Sequence, residues 1–167
     1  MHGRAMHSAV SVSEKLTTTL QSVRVGVVQL RVAPRGLITS QPEPSMKHCL
    51  IVDDSEVIRK VARRILESMQ FEILEAENGQ QAIEICKKQM PDAILLDWHM
   101  PVMGGVEFLG ALRLANLEKR PYVLYATTEN DQSELSRAFT AGADDYVLKP
   151  FDKESLEAKL ADAGLTN

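Results

Sequence analysis

The sequence predicts an α/β fold built on a five-stranded parallel sheet. Three observations carry that expectation. From His48 onward, short apolar runs alternate five times with stretches of helical period, the pattern of successive βαβ units. The run Ala93-Ile94-Leu95-Leu96 is apolar without interruption, as a central strand covered on both faces must be. Acidic, hydroxyl and lysine side chains follow directly on the ends of these runs, where a parallel sheet places its ligand site.

Cys49-Leu50-Ile51-Val52 forms the first strand. After Ser55, Val57, Ile58, Val61, Ile65, Leu66 and Met69 recur at three- and four-residue spacing, which predicts one buried stripe along the first helix. Phe71 to Ala76 alternates like a strand near an edge, Asn78-Gly79 supplies a turn, and Ala82, Ile83 and Cys86 set the second helix on the sheet. Ala93 to Leu96 is the third strand, and Leu109 with Leu112 anchors the third helix. Tyr122-Val123-Leu124-Tyr125-Ala126 reads as the fourth strand, followed by a helix that turns Leu135, Ala138 and Phe139 inward. Tyr146-Val147-Leu148 is the fifth strand and Leu156 with Leu160 marks the fifth helix. The residues after Lys149 are too few to add an output domain.

Composition narrows the functional classes. Hydrophobic residues at 44% and charged residues at 25% are ordinary for a globular chain and exclude a collagen-like or disulfide-dense scaffold. Cys49 and Cys86 show no metal-ligand spacing, so a zinc site is not expected, and a reducing cytoplasm suits them. No apolar run approaches the roughly 18 residues of a membrane span. Residues 46–167 hold fourteen Lys/Arg against twenty-one Asp/Glu, an acidic body with no attraction for nucleic acid. Residues 1–45 differ: they are rich in Ser, Thr, Val and Arg and end in Pro42-Glu43-Pro44-Ser45. They read as a disordered extension, an organelle-type presequence or the result of too early a start, since Met46-Lys47 immediately precede the first strand. A short strand over Val25–Val32 finds no partner nearby. The domain proper is taken as 46–167.

The acids then define a chemistry. Asp53 and Asp54 follow the first strand and Asp97 follows the third, so adjacent central strands bring three carboxylates together. They repel one another unless a cation intervenes. Oxygen donors favour Mg²⁺, Mn²⁺ or Ca²⁺ over zinc or copper, and so few protein ligands, leaving room for water and phosphoryl oxygens, suit Mg²⁺. Thr127 ends the fourth strand and Lys149 the fifth, giving a hydroxyl and an ammonium as donors to phosphoryl oxygens. A carboxylate nucleophile at Asp97 beside these groups has the parts for acyl-phosphate formation. Any one of the residues alone reads as a cap or a turn; capping does not require this set in this strand order.

Taken together, Leu50-Ile51-Val52-Asp53-Asp54-Ser55, Asp97-Trp98-His99-Met100-Pro101-Val102-Met103-Gly104-Gly105, Thr127 and Lys149-Pro150-Phe151 resemble the response-regulator receiver family, in its single-domain, chemotaxis-regulator-like form, over about residues 47–163. The resemblance implies a doubly wound, flavodoxin-like sheet of order 2-1-3-4-5. It implies that Asp97 is the phosphoacceptor of a two-component signalling system. Asp53, Asp54 and Asp97 would hold Mg²⁺ with the backbone carbonyl of His99, and Thr127 and Lys149 would bind the phosphoryl group. Thr127 and Tyr146 match the family's switch pair, and Pro150 matches a position that usually follows a cis peptide bond. The phosphoryl donor would be a histidine kinase or a histidine phosphotransfer protein. A protein effector would dock on the face of helix four, strand five and helix five, where Gln132, Arg137, Lys153 and Glu157 form no recognisable docking motif.

The chain departs from the family pattern at two places. Gly104 removes the usual side-chain cap from the third helix, at a cost of roughly a few tenths of a kcal/mol. Thr128, where small residues are common, narrows access to the phosphoryl site. His99 and Glu129 lie two residues beyond Asp97 and Thr127, on the path of the attacking water in receivers, and are expected to tune dephosphorylation. His99 as a ring ligand fits poorly, because a hard oxygen site disfavours imidazole. Two other functions compete. A binding module that has abandoned phosphorylation would not need the acid pair, Asp97, Thr127 and Lys149 together. A hydrolase on a similar sheet would need its general acid two residues beyond Asp53, where Ser55 stands, and no Gly-rich phosphate loop is present.

Overall fold

A computed structural model describes residues 46–115, 119–128 and 131–166. The expectations for residues 1–45, including the Val25–Val32 strand, and those for Glu129 lie outside the described residues. Five strands and five helices alternate: β1 (Lys47–Val52), α1 (Glu56–Ser68), β2 (Phe71–Ala76), α2 (Gly79–Lys88), β3 (Ala93–Asp97), α3 (Gly105–Leu114), β4 (Tyr122–Thr127), α4 (Gln132–Ala141), β5 (Asp145–Leu148) and α5 (Lys153–Asp162). The sheet is parallel throughout, in the order β2-β1-β3-β4-β5. The reversal of strand order at β1 and β3 creates the crevice in which such sheets bind ligands.

Strand alternation builds two cores. Leu50, Val52, Ile94, Leu96, Val123 and Tyr125 face Ala82, Phe108, Leu109 and Ala138 of α2, α3 and α4. Their neighbours Cys49, Ile51, Leu95, Leu124, Ala126 and Val147 face Ala62, Leu66, Leu156 and Leu160 of α1 and α5. A strand buried on both faces reads as a continuous apolar run, which is why β1, β3 and β4 stood out in the sequence.

Two helix faces differ from expectation. On α1, Val57 and Val61 are 70% and 41% exposed, while Ala62, Leu66 and Arg59 are buried. Ile58, Ile65 and Met69 pack beside them. The two valines lie on the flank of the stripe and not in it, and the small Ala62 occupies the close approach to the sheet. On α4, Phe139 is 42% exposed, its ring meeting Tyr146 edge-on at 6.4 Å, because β5 is the edge strand. Ala138 is buried and Leu135 partly so, as predicted.

Asn78 is an N-cap more than a turn residue: its side chain accepts from the Gln81 amide at 3.0 Å and starts α2. Gly79 then approaches the β3–α3 loop so closely that a Cβ would lie 2.9 Å from the Met103 carbonyl oxygen. The expected absence of a side-chain cap at Gly104 is found. Among the described residues, no helix is long and apolar enough to cross a membrane.

Candidate functional site

Register brings the candidate groups to one level. Val52 pairs with Leu96, Asp97 with Ala126, and Thr127 with Leu148, so Asp53, Asp97, Thr127 and Lys149 all stand at the C-terminal edge of the sheet. One carboxylate oxygen from each of Asp53, Asp54 and Asp97 lies within 4.8 Å of the others. Asp53 is buried and Asp54 exposed, so the cluster has a protein side and a solvent side. Asp53 is pinned: its Oδ1 accepts from the Ser55 amide at 2.9 Å, and its backbone carbonyl accepts from the Arg59 guanidinium at 2.8 Å.

The Lys149 ammonium closes the cluster, donating to Asp53 Oδ2 at 2.6 Å and to Asp97 Oδ1 at 2.7 Å. The preceding strand end holds the lysine in place, since the Lys149 amide donates to the Thr127 carbonyl at 2.7 Å, and the Lys149-Pro150 bond is cis, as expected. Burial raises the Asp97 carboxyl above its ordinary value, and repulsion from Asp53 adds to this; the Lys149 contacts oppose the rise without cancelling it. Burial also works against the Lys149 charge, but the bonds to both aspartates outweigh it and hold the ammonium above its ordinary value. One ammonium against three carboxylates leaves an excess of negative charge on hard oxygen donors with an open solvent side, which fits a divalent cation of the Mg²⁺ type.

The β3–α3 loop frames the site. Met103 donates to the Pro101 carbonyl at 2.8 Å around Val102, whose φ of 70° is strained for a β-branched residue. Gly105 bonds back to the Trp98 carbonyl at 3.0 Å, and a Cβ there would meet the Asp97 carbonyl oxygen at 2.9 Å. Trp98 is buried with its ring centroid 5.1 Å from that of Tyr125. His99 points outward, 81% exposed, with Nδ1 3.9 Å from Glu134 Oε1. Asp97, His99, Thr127, Thr128, Tyr125 and Glu134 line one small cavity of about 40 Å³, which puts Thr128 at the rim where narrowing was expected. Tyr146 is half-buried, beside Phe139 and with the Lys159 ammonium 5.3 Å from its ring centroid.

The receiver-domain profile of the response regulators matches residues 49–161. The chain belongs to the response regulator receiver domain family. It is a receiver of the two-component response-regulator type. The chemotaxis protein CheY of Halobacterium salinarum is 37% identical over 117 residues, 70% of this receiver chain and 95% of that protein. The phosphate regulon transcriptional regulatory protein PhoB of Pseudomonas aeruginosa is 38% identical over 114 residues, 68% of this chain but only 50% of that protein. Among solved structures, the chemotaxis response regulator CheY4 of Vibrio cholerae superposes with a TM-score of 0.67 at 33% identity, over 71% of this chain and 98% of its own. The receiver domain of a sensor histidine kinase from Pseudomonas aeruginosa superposes with a TM-score of 0.65 at 27% identity, over 71% of this chain and 97% of its own; that structure has a magnesium ion coordinated in its active site cleft.

Three residues of this receiver's site went unread in the sequence. Arg59 looked like a polar interruption of an amphipathic helix, yet it is buried behind Asp53 and also reaches Glu77 at 3.3 Å. Tyr125 and Glu134 are joined by a hydrogen bond of 2.5 Å. The sequence did hold a signal for that pair, because a tyrosine inside a central strand must bring its hydroxyl to a polar partner.

Proposed function

We propose that the chain is a phosphoacceptor switch in which Asp97 takes a phosphoryl group from a histidine kinase or a histidine phosphotransfer protein, with residues 46–167 forming the receiver and residues 1–45 an extension to it. The observation that carries the reading is the Lys149 ammonium shared between Asp53 and Asp97 at 2.6 and 2.7 Å beside the exposed Asp54. An Asp97 carboxylate oxygen attacks phosphorus, the bond from phosphorus to the donor imidazole breaks, and the imidazole leaves. Asp53, Asp54, Asp97 and the His99 backbone carbonyl would hold Mg²⁺, which offsets the charge of the carboxylates and the incoming phosphoryl oxygens. Lys149 meets one phosphoryl oxygen as a point cation, and Thr127 donates to another.

Drawing Thr127 toward the phosphoryl group lets Tyr146 turn inward and reshapes the face of α4, β5 and α5 on which a protein effector docks. His99 and Glu129 flank the path of the hydrolytic water and tune the lifetime of the phosphorylated state. The site acts on its own phosphoryl group, and the chain is not an enzyme for an external substrate.

Incubation with acetyl phosphate and Mg²⁺ tests this by intact mass. Wild type gains one phosphoryl group, whereas Asp97→Ala, or wild type with the metal chelated, gains none. A wild-type chain that gains nothing is a binding module. His99→Ala and Glu129→Ala change the decay rate of the phosphorylated form; unchanged decay removes those two roles.

A further inference from the structure

The hydroxyl of Tyr125 lies at the centre of a chain of hydrogen bonds that runs from the phosphoacceptor edge to α4. Tyr125 is 1% exposed, and its phenol donates to Glu134 Oε1 at 2.5 Å. Glu134 belongs to the first turn of α4, and its side chain is only 14% exposed. On the other side, the Thr127 side chain shares a hydrogen bond with the same phenol, and Thr127, Tyr125 and Glu134 line one small cavity. The phenol's single proton goes to Glu134, so towards Thr127 its oxygen can only accept, and the order is Thr127 hydroxyl to Tyr125 hydroxyl to Glu134 carboxylate.

Among the described residues, few other contacts hold this end of α4. Ala138, in the middle of the helix, is the one buried side chain of α4. Leu135 and Ala141 pack only partly, and Phe139 is half in solvent. A charge-assisted bond to a buried phenol is then a large part of what fixes the first turn to β4. A threonine hydroxyl has one proton to donate, so Thr127 cannot serve Tyr125 and a phosphoryl oxygen together. Hydrogen bonds in series strengthen one another, and removing the first weakens the second.

We propose that Thr127, Tyr125 and Glu134 form a latch that holds the first turn of α4 against β4 while Asp97 is unmodified, and that a phosphoryl group on Asp97 opens the latch by claiming the Thr127 proton. The inference rests on the phosphoacceptor reading and adds to it two positioning residues, Tyr125 and Glu134. Because the latch stabilises the unmodified arrangement, breaking it enlarges the fraction of chains already in the other arrangement, and that fraction sets the rate of phosphorylation.

Tyr125→Phe removes the hydroxyl and keeps the ring that packs on Trp98. Without any phosphodonor, the first-turn amides of α4 exchange with solvent about tenfold faster in this variant, while those of α1 are unchanged. With acetyl phosphate and Mg²⁺, phosphorylation is about three- to tenfold faster than in wild type. Glu134→Gln, which keeps shape and loses charge, moves both readouts in the same direction, and it decides the matter if Tyr125→Phe does not fold. A wild type that takes up phosphoryl while both variants match it in rate and in α4 exchange overturns the latch alone. A wild type that takes up none overturns the phosphoacceptor reading and the latch's role as a switch, whereas faster α4 exchange in the variants would still show the contact that holds the helix.

Discussion

Lys149 holds two aspartates at hydrogen-bond distance from one ammonium, and the alignment of those aspartates depends on a residue behind them. Arg59 is 7% exposed and ties the Asp53 carbonyl to Glu77 across the gap between α1 and the end of β2. Arg59→Met keeps the length of the side chain but leaves the Asp53 carbonyl without its donor, a loss of about 1–3 kcal/mol. Urea unfolding measures it, and Mg²⁺ affinity should fall with it because Asp53 is less firmly aimed. A change within experimental error would mean that water replaces the guanidinium without cost. The aspartates, Thr127 and Lys149 were legible in the sequence because their chemistry is explicit in the side chain and their strand-end position in the pattern. Arg59 was not, because a buried arginine has the same letter as a solvated one and only its partners, Asp53 and Glu77, tell the two apart.

At the scale of the element, β3 passes its position to α3 through a loop with almost no slack. A Cβ on Gly105 would sit 2.9 Å from the Asp97 carbonyl and 3.3 Å from the Trp98 Cα, both backbone atoms that cannot move without carrying Asp97 along. Gly105→Ala therefore destabilises by about 1–3 kcal/mol and, on the proposed function, also slows phosphorylation, since overpacking displaces Asp97. Thermal unfolding and the acetyl phosphate reaction check the two halves; a stable variant that reacts at the wild-type rate would contradict the close packing. The strands were readable as elements because each is a short run with one decisive property, burial on one face or both. The helices were readable in number and place but not in rotation. Val57 and Val61 fit the three- and four-residue spacing as well as the true contacts do, and Ala62 carries too little hydrophobicity to mark the centre of the stripe. Phe139 failed for a different reason: its side chain faces an edge strand, and a helical period cannot tell which strand lies at the edge.

The whole molecule keeps protons on groups that the unfolded chain would release. Burial pushes the Cys49 thiol from 9.0 to about 12 and the Cys86 thiol from 9.0 to about 11. Burial, with the negative charges of Asp145 and Asp144, pushes the Tyr122 phenol from 10.0 to about 12. These folded-state values lie above the unfolded ones, so the unfolded chain binds fewer protons through that window and stability falls as pH rises. The stabilising contribution is complete below about pH 9 and is lost progressively toward pH 12. Denaturant midpoints across that range test it, and Cys49→Ala with Cys86→Ala should flatten the alkaline decline. The same burial keeps both thiols unreactive toward alkylating reagents in the native chain, with labelling only on unfolding. A steep loss of stability on the acid side of neutrality with none on the alkaline side would contradict this description of the core.

Asp97 is the residue proposed to carry the phosphoryl group. A phosphorylated carboxyl is an acyl phosphate, which borohydride reduces to an alcohol, so reduction followed by peptide mapping names the residue directly. The prediction is homoserine at position 97 in chains treated with acetyl phosphate and Mg²⁺, and unaltered aspartate there when either is omitted. Conversion at Asp53, Asp54 or any other residue, or none at all under conditions that phosphorylate a known receiver, would contradict it.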